Sequence, residues 1–222
     1  MNSRAIVYSS FHLWNIAADG AQRAREIKAT SPKACTADTI GAILLAAMST
    51  EAFINELGTH LLLLELSPEL PEIERWTSVG TLLEQLEKEK AQIKTKYLWV
   101  SQILPGCPLT KGKPPFQDFS RLIDMRNDIV HPRALEKEPK YLQDFSQRRW
   151  LYNNPEDEPK LAGWLFQLET PEIAAWACRA ALAIITDFVE RFKNDPHPLI
   201  AALHSKMHFQ WGNVSNDPRV VS

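Results

Sequence analysis

Apolar residues recur every three to four positions over long stretches of this chain, and each such stretch predicts a helix. Phe11, Trp14, Ile16, Ala18 and Ala21 mark a first helix over about residues 9–29, which Gly20 interrupts and Ser31-Pro32 ends. Thr36-Ala-Asp-Thr offers an N-cap to a second, carried by Ile40, Leu44, Ala47, Ile54, Leu57 and Leu61. After the connector Ser67-Pro-Glu-Leu-Pro71, one long helix is expected from Glu72 to about Leu104, with Gly80 as its dividing point. Leu82, Leu83, Leu86, Ile93 and Tyr97 line one side of it, and Glu84, Glu87, Lys88, Lys90 and Lys94 form a solvated face on the other. Pro105 to Pro115 reads as a loop. Thr170-Pro-Glu-Ile opens another helix through Ile173, Trp176, Ala180, Ile184, Phe188 and Phe192. Asp195-Pro-His-Pro198 ends it, a short helix runs to about His208, and residues 212–222 are expected to fray.

Two regions depart from this regularity. Residues 133–169 mix Pro139, Pro155 and Pro159 with an acidic turn, Glu156-Asp-Glu158, and read as an irregular insertion between bundle helices. Arg149 to Tyr152 and Trp164 to Leu168 flank that turn as a candidate small hairpin. The other departure is Phe116 to His131, where Phe119, Leu122, Ile123, Ile129 and Val130 form an apolar stripe with Arg126 in its middle. Glu51 interrupts the second helix in the same way, so an Arg126–Glu51 pair is expected, with Asn55 one turn on as a further partner. Pro132 disfavours α geometry at the residue before it, which places His131 at a helix C-terminus. Five positions separate Arg126 from His131, roughly 140° around an intact helix, so the two side chains converge only if the last turn opens. Asn127 and Asp128 lie between them.

Arg126-Asn-Asp-Ile-Val-His131 resembles the signature of the HEPN superfamily (higher eukaryotes and prokaryotes nucleotide-binding), an Arg and a His across a short spacer with a polar residue after the Arg. Ser49 to Leu57 is similar to an early helix of that family, whereas the Tyr that some relatives carry two residues after the His is here Arg133. The resemblance implies an all-α fold, here an up-and-down bundle of four to five main helices in one domain over residues 1–222. It also implies frequent homodimerisation and, in many members, a metal-independent endoribonuclease of toxin or host-defence type, with an antitoxin or regulatory protein as a partner. The candidate catalytic residues are then Arg126, Asn127 and His131, supported by Glu51, Asn55 and Asp128, with RNA as substrate and neither cofactor nor metal.

The chemistry asks for these residue types. Metal-free RNA cleavage needs a base for the 2′-hydroxyl, an acid for the leaving oxygen and a cation for the charge on the phosphate. Histidine titrates near neutrality and arginine presents a planar fork to phosphate, while Asn127 is placed to orient the His or bind a phosphate oxygen. One His fills one proton-transfer role at a time, which gives a two-fold dimer a physical purpose. The alternatives are a non-catalytic module that binds RNA, nucleotide or protein in the same cleft, and a structural Arg126 paired with Glu51 beside a helix-ending His131 bonded to a carbonyl.

Composition narrows this further. The 222 residues are 45% hydrophobic and 23% charged, with a net charge of −2, so any contact with nucleic acid must come from a local patch. Lys137, Lys140, Arg148 and Arg149, interleaved with Tyr141, Trp150 and Tyr152, offer one, although Glu136, Glu138 and Asp144 make it a mixed surface. Cys35, Cys107 and Cys178 support neither a disulfide framework nor a zinc site. His204 and His208 have metal-ligand spacing without a third ligand nearby in the sequence. No P-loop or dinucleotide fingerprint appears. The N-terminus lacks a signal-like apolar region, and the longest apolar runs fall short of a membrane span, so a cytoplasmic protein with no membrane partner is expected.

Overall fold

The computed structural model describes residues 9–31, 37–63, 73–131, 139–152, 163–214 and 217–220. Helices α1 (Ser9–Thr30) and α2 (Ala37–Leu63) pack along each other, and α8 (Pro171–Glu190) lies against both. Small side chains permit this closeness: Ala17, Ala18, Ala21 and Ala24 on α1 and Ala42, Ala46 and Ala47 on α2 are all buried. Gly20 belongs to the same contact, because a Cβ there would sit 3.3 Å from the Asp38 carbonyl oxygen. It therefore continues α1 where the sequence suggested an interruption. Trp14, Ile43, Ile54, Phe188 and Trp211 are fully or almost fully buried around these helices. Each side chain of that size contributes about 1.5–3 kcal/mol on burial. Among the described helices, α2 alone is long and apolar enough to cross a membrane by length and composition, and half of that window is buried within the bundle.

The expected long helix is two helices, α3 (Glu74–Lys88) and α4 (Ile93–Ile103). The break falls at Lys90, whose φ is 53°, and not at Gly80. Gly80 lies inside α3 at its closest approach to α2, where an added Cβ would come within 2.8 Å of the Leu62 backbone nitrogen. A loop from Leu104 to Pro115, with a cis Pro114–Pro115 bond, leads into α5 (Phe116–Val130). That helix buries Phe116, Phe119, Leu122, Ile123 and Met125.

The insertion differs from the expectation. Its described part holds α6 (Lys140–Gln147), which buries Tyr141, Leu142 and Phe145 and docks on α5 through an Arg121–Asp144 ion pair of 2.6 Å. The hairpin is absent: Trp164 to Gln167 lie in α7 (Gly163–Gln167), and among the described residues there is no strand. A single backbone bond, Tyr152 N–H to Gln167 C=O at 2.9 Å, joins the two segments. The run is Trp-Leu-Phe-Gln without alternation, and its partner Arg149 has φ 57°, which breaks an extended strand.

Thr170 caps α8 as expected, its hydroxyl accepting from Ile173 N–H at 3.4 Å. The last long element is α9 (Pro198–Trp211), followed by a 3₁₀ turn at Gly212–Val214. The tail is more anchored than its polarity suggested. Arg219 donates to Asp19 at 2.7 Å and to Asn15 at 2.9 Å on α1, Val220 is buried, and Arg179 donates to the Val220 carbonyl.

Candidate functional site

Helix α5 carries its polar residues toward its C-terminal turn, and the structure distributes them over different surroundings. Arg126 follows Phe119 and Leu122 on the inward stripe and is partly buried. It lines a cleft of about 310 Å³ whose walls are Ala47 and Glu51 from α2, Ala91 to Lys94 from the α3–α4 turn, and Ile123, Asp124 and Asn127 from α5. The break at Lys90 therefore builds the cleft, since a continuous α3–α4 helix would carry Ala91 to Lys94 away from it.

The expected Arg126–Glu51 ion pair does not form. Both residues face the cleft, but Glu51 is exposed, and among the described residues the guanidinium has one partner, Asn127 Oδ1 at 2.9 Å from Nη1. Arg126 is only half-buried, so water can solvate it and no carboxylate is required there. The ion pair at the cleft wall is Lys94 to Asp124 at 2.5 Å. Glu51 and Asp124 thus balance Lys94 and Arg126, leaving the remaining guanidinium donors as the groups available to an anion.

Asn55 does not share the arginine either. Its Oδ1 accepts from Lys96 Nζ at 3.0 Å, and the Lys96 ammonium, 3% exposed, also bonds to Glu87. Asn55 thereby helps to satisfy a buried cation of α4. Asp128 turns the other way, accepting from the Tyr141 hydroxyl at 3.0 Å. Burial, and then the Asp128 charge, push the Tyr141 phenol well above its ordinary range. Asp128 is thus a link between α5 and α6.

His131 sits just past α5 with φ −122° and ψ 64°, exposed, and is not part of the cleft wall. Its N–H still donates to the Asn127 carbonyl at 2.8 Å, so the last turn stays closed. With that bond intact, Arg126 faces the cleft and His131 does not line it, and among the described residues no hydrogen bond joins the two side chains. Asn127 braces the arginine and does not orient the imidazole. Val130, which precedes His131, is 44% exposed.

The basic and aromatic patch is partly dismantled. Tyr141 is core, Arg148 stacks over Trp150 with its guanidinium carbon 4.8 Å from the ring centroid, and Lys140 and Arg149 are exposed. Lys137, Glu136, Glu138, Arg133, Pro132 and Cys35 lie outside the described residues. Of the other cysteines, Cys107 is exposed and Cys178 is buried, its thiol pushed up to about 12 by burial. No protein-family model, curated protein or solved structure matches this chain, so a functional reading rests on the residues themselves.

Proposed function

We propose that the protein is a metal-independent endoribonuclease whose catalytic groups are completed between two copies of the chain. His131 serves as general acid or base, Arg126 stabilises the charge that builds on the phosphate, and Asn127 holds the guanidinium in place. The observation that carries this reading is the arrangement at the end of α5. A braced arginine opens on a cleft, an accessible imidazole stands on another side of the same closed turn, and one chain does not bring them together. A two-fold partner approaching the C-terminal end of α5 would set the His131 of one copy against the Arg126 of the other.

In the reaction the 2′-oxygen attacks the adjacent phosphorus as its proton passes to a base. The bond to the 5′-oxygen breaks as an acid protonates it, leaving a 2′,3′-cyclic phosphate and a 5′-hydroxyl. Two imidazoles in one composite cleft can divide the two proton transfers. Two arginine forks supply fixed donors to the non-bridging oxygens, where the charge develops. DNA lacks the attacking hydroxyl and is predicted to remain intact.

The test is incubation of the purified protein with mixed RNA in excess chelator, beside His131→Ala and a matched DNA. Cyclic-phosphate ends from the wild type alone, on RNA alone, are the expected result. The engagement of Asn127 by Arg126, with no contact to His131, favours a second reading in which the cleft binds RNA, a nucleotide or a regulatory protein without cutting. Intact RNA together with equal RNA affinity in wild type and His131→Ala would establish that one.

A further inference from the structure

The C-terminal end of α8 and the middle of α9 meet at a polar cluster that the α5 reading does not use. His204 and His208 are one helical turn apart on α9, so both imidazoles leave the same face. Their rings lie nearly parallel, 23° between planes and 5.5 Å between centroids. Glu190, the last residue of α8, brings Oε1 to 3.8 Å from His208 Nδ1. One candidate ligand atom from each of the three residues lies within 4.8 Å of the others. The third ligand that the sequence did not offer thus arrives from another helix.

Further features fit a cation. His204 Nε2 is buried and has no hydrogen-bond partner among the described residues, a cost that a metal bond would remove. Lys193 engages the other oxygen of Glu190, Oε2, at 3.1 Å, which leaves Oε1 toward the imidazoles.

We propose that Glu190, His204 and His208 bind a divalent transition-metal ion of the zinc class, with at least one coordination position left to water. Two imidazoles and one carboxylate suit zinc and its neighbours, whereas magnesium and calcium call for oxygen ligands. Bonds of about 2.0–2.1 Å in a tetrahedral site separate ligand atoms by roughly 3.3 Å. The present separations, 4.8 Å at most and 3.8 Å between Glu190 and His208, close by up to about 1.5 Å through rotation of the half-exposed Glu190 and His208 side chains. Binding would fasten α9 to the end of α8. This site is independent of the α5 reading, whose chemistry proceeds in chelator.

The experiment titrates chelator-stripped full-length protein with Zn²⁺, with Co²⁺ as a spectroscopic probe and with Mg²⁺ as a control. Wild type is compared with His204→Ala, His208→Ala and the nearly isosteric Glu190→Gln. The expected result is one Zn²⁺ per chain, visible Co²⁺ absorption of a tetrahedral type, and a Zn²⁺-dependent rise in Tm. Each variant is expected to weaken binding at least about tenfold, and His208→Ala and Glu190→Gln to keep the metal-free Tm. Absence of stoichiometric Zn²⁺ binding by the wild type would overturn the site, as would wild-type affinity in both His208→Ala and Glu190→Gln.

Discussion

The end of α5 and the junction of α8 with α9 both gather histidine with charged or polar neighbours, and they do so in opposite ways. At α5 the residues are consecutive in the chain, and a closed helical turn spreads them: Arg126 into a cleft, Asp128 onto Tyr141, His131 into solvent. At α8 and α9 the two histidines share a helix face, and a glutamate from another helix closes the cluster. Spacing along a helix decides both outcomes. Four residues make one turn and align side chains, whereas five place them on different sides. On the readings proposed above, the first set would need a second molecule to be complete, and the second would be complete within one chain.

Removing a group that only one region uses sharpens this contrast most. His131→Ala is expected to lower RNA cleavage by about 10²–10⁴-fold while leaving Zn²⁺ affinity unchanged, measured on the same preparation. Loss of both properties together would mean that the two regions are not separate.

A smaller effect comes from the scaffold behind the cleft. Gly80 sets the approach of α3 to α2 and so the position of the α3–α4 turn that walls the cleft. Gly80→Ala must displace the Leu62 backbone, and a denaturant titration should show a loss of about 1–3 kcal/mol. Gly41, in α2 with nothing within 4 Å of an added Cβ, is the control. Gly41→Ala should raise stability by about 0.5–1 kcal/mol through helix propensity. Destabilisation by both would point to a general intolerance of α2 and α3, not to the one close approach.

The smallest predicted effect lies on the tail. Arg219 donates to Asp217 and so holds its carboxyl below the ordinary carboxylate range. A depressed folded-state pKa gives stability that is present above the unfolded value and is lost as the pH falls through the folded one. The pair is partly exposed, so Arg219→Ala should cost less than about 1 kcal/mol at neutral pH. The difference from wild type should shrink below about pH 4 in pH-dependent thermal melts. A difference that grows on acidification would contradict the assigned cause.

Much of the helical architecture was legible because burial imposes its period directly on the sequence, as α1, α2, α8 and the Thr170 cap show. The break between α3 and α4 was not, since Lys90 takes the left-handed position of a helix C-cap, closed by Lys90 N–H to the Glu87 carbonyl and Ala91 N–H to the Leu86 carbonyl, where glycine or asparagine is the usual signal, while Gly80 attracts notice and stays helical. At the site, the inward placement of Arg126 followed from the stripe, but its partner did not. Periodicity reports which face a residue occupies, not whether the opposing charge reaches it, and Glu51 lies in the same cleft unpaired with Arg126. Asn55 shows the same limit, serving Lys96 from a helix whose register against α2 no local pattern encodes. The Glu190 ligand was illegible for the same reason, because its nearness to His208 exists only once α8 and α9 pack.

The central claim, that the ribonuclease groups are completed between two chains, is tested most directly by mixing two inactive variants. Arg126→Ala keeps an intact His131, and His131→Ala keeps an intact Arg126. Co-refolding them in equal amounts with RNA in excess chelator should restore cyclic-phosphate-forming cleavage well above either variant alone but below wild type, because in the mixed dimer one His131 faces one Arg126 and that single imidazole must make both proton transfers in turn. Cleavage by wild type, with none by the mixture even though mixed dimers form, would show that each chain works alone and contradict the account.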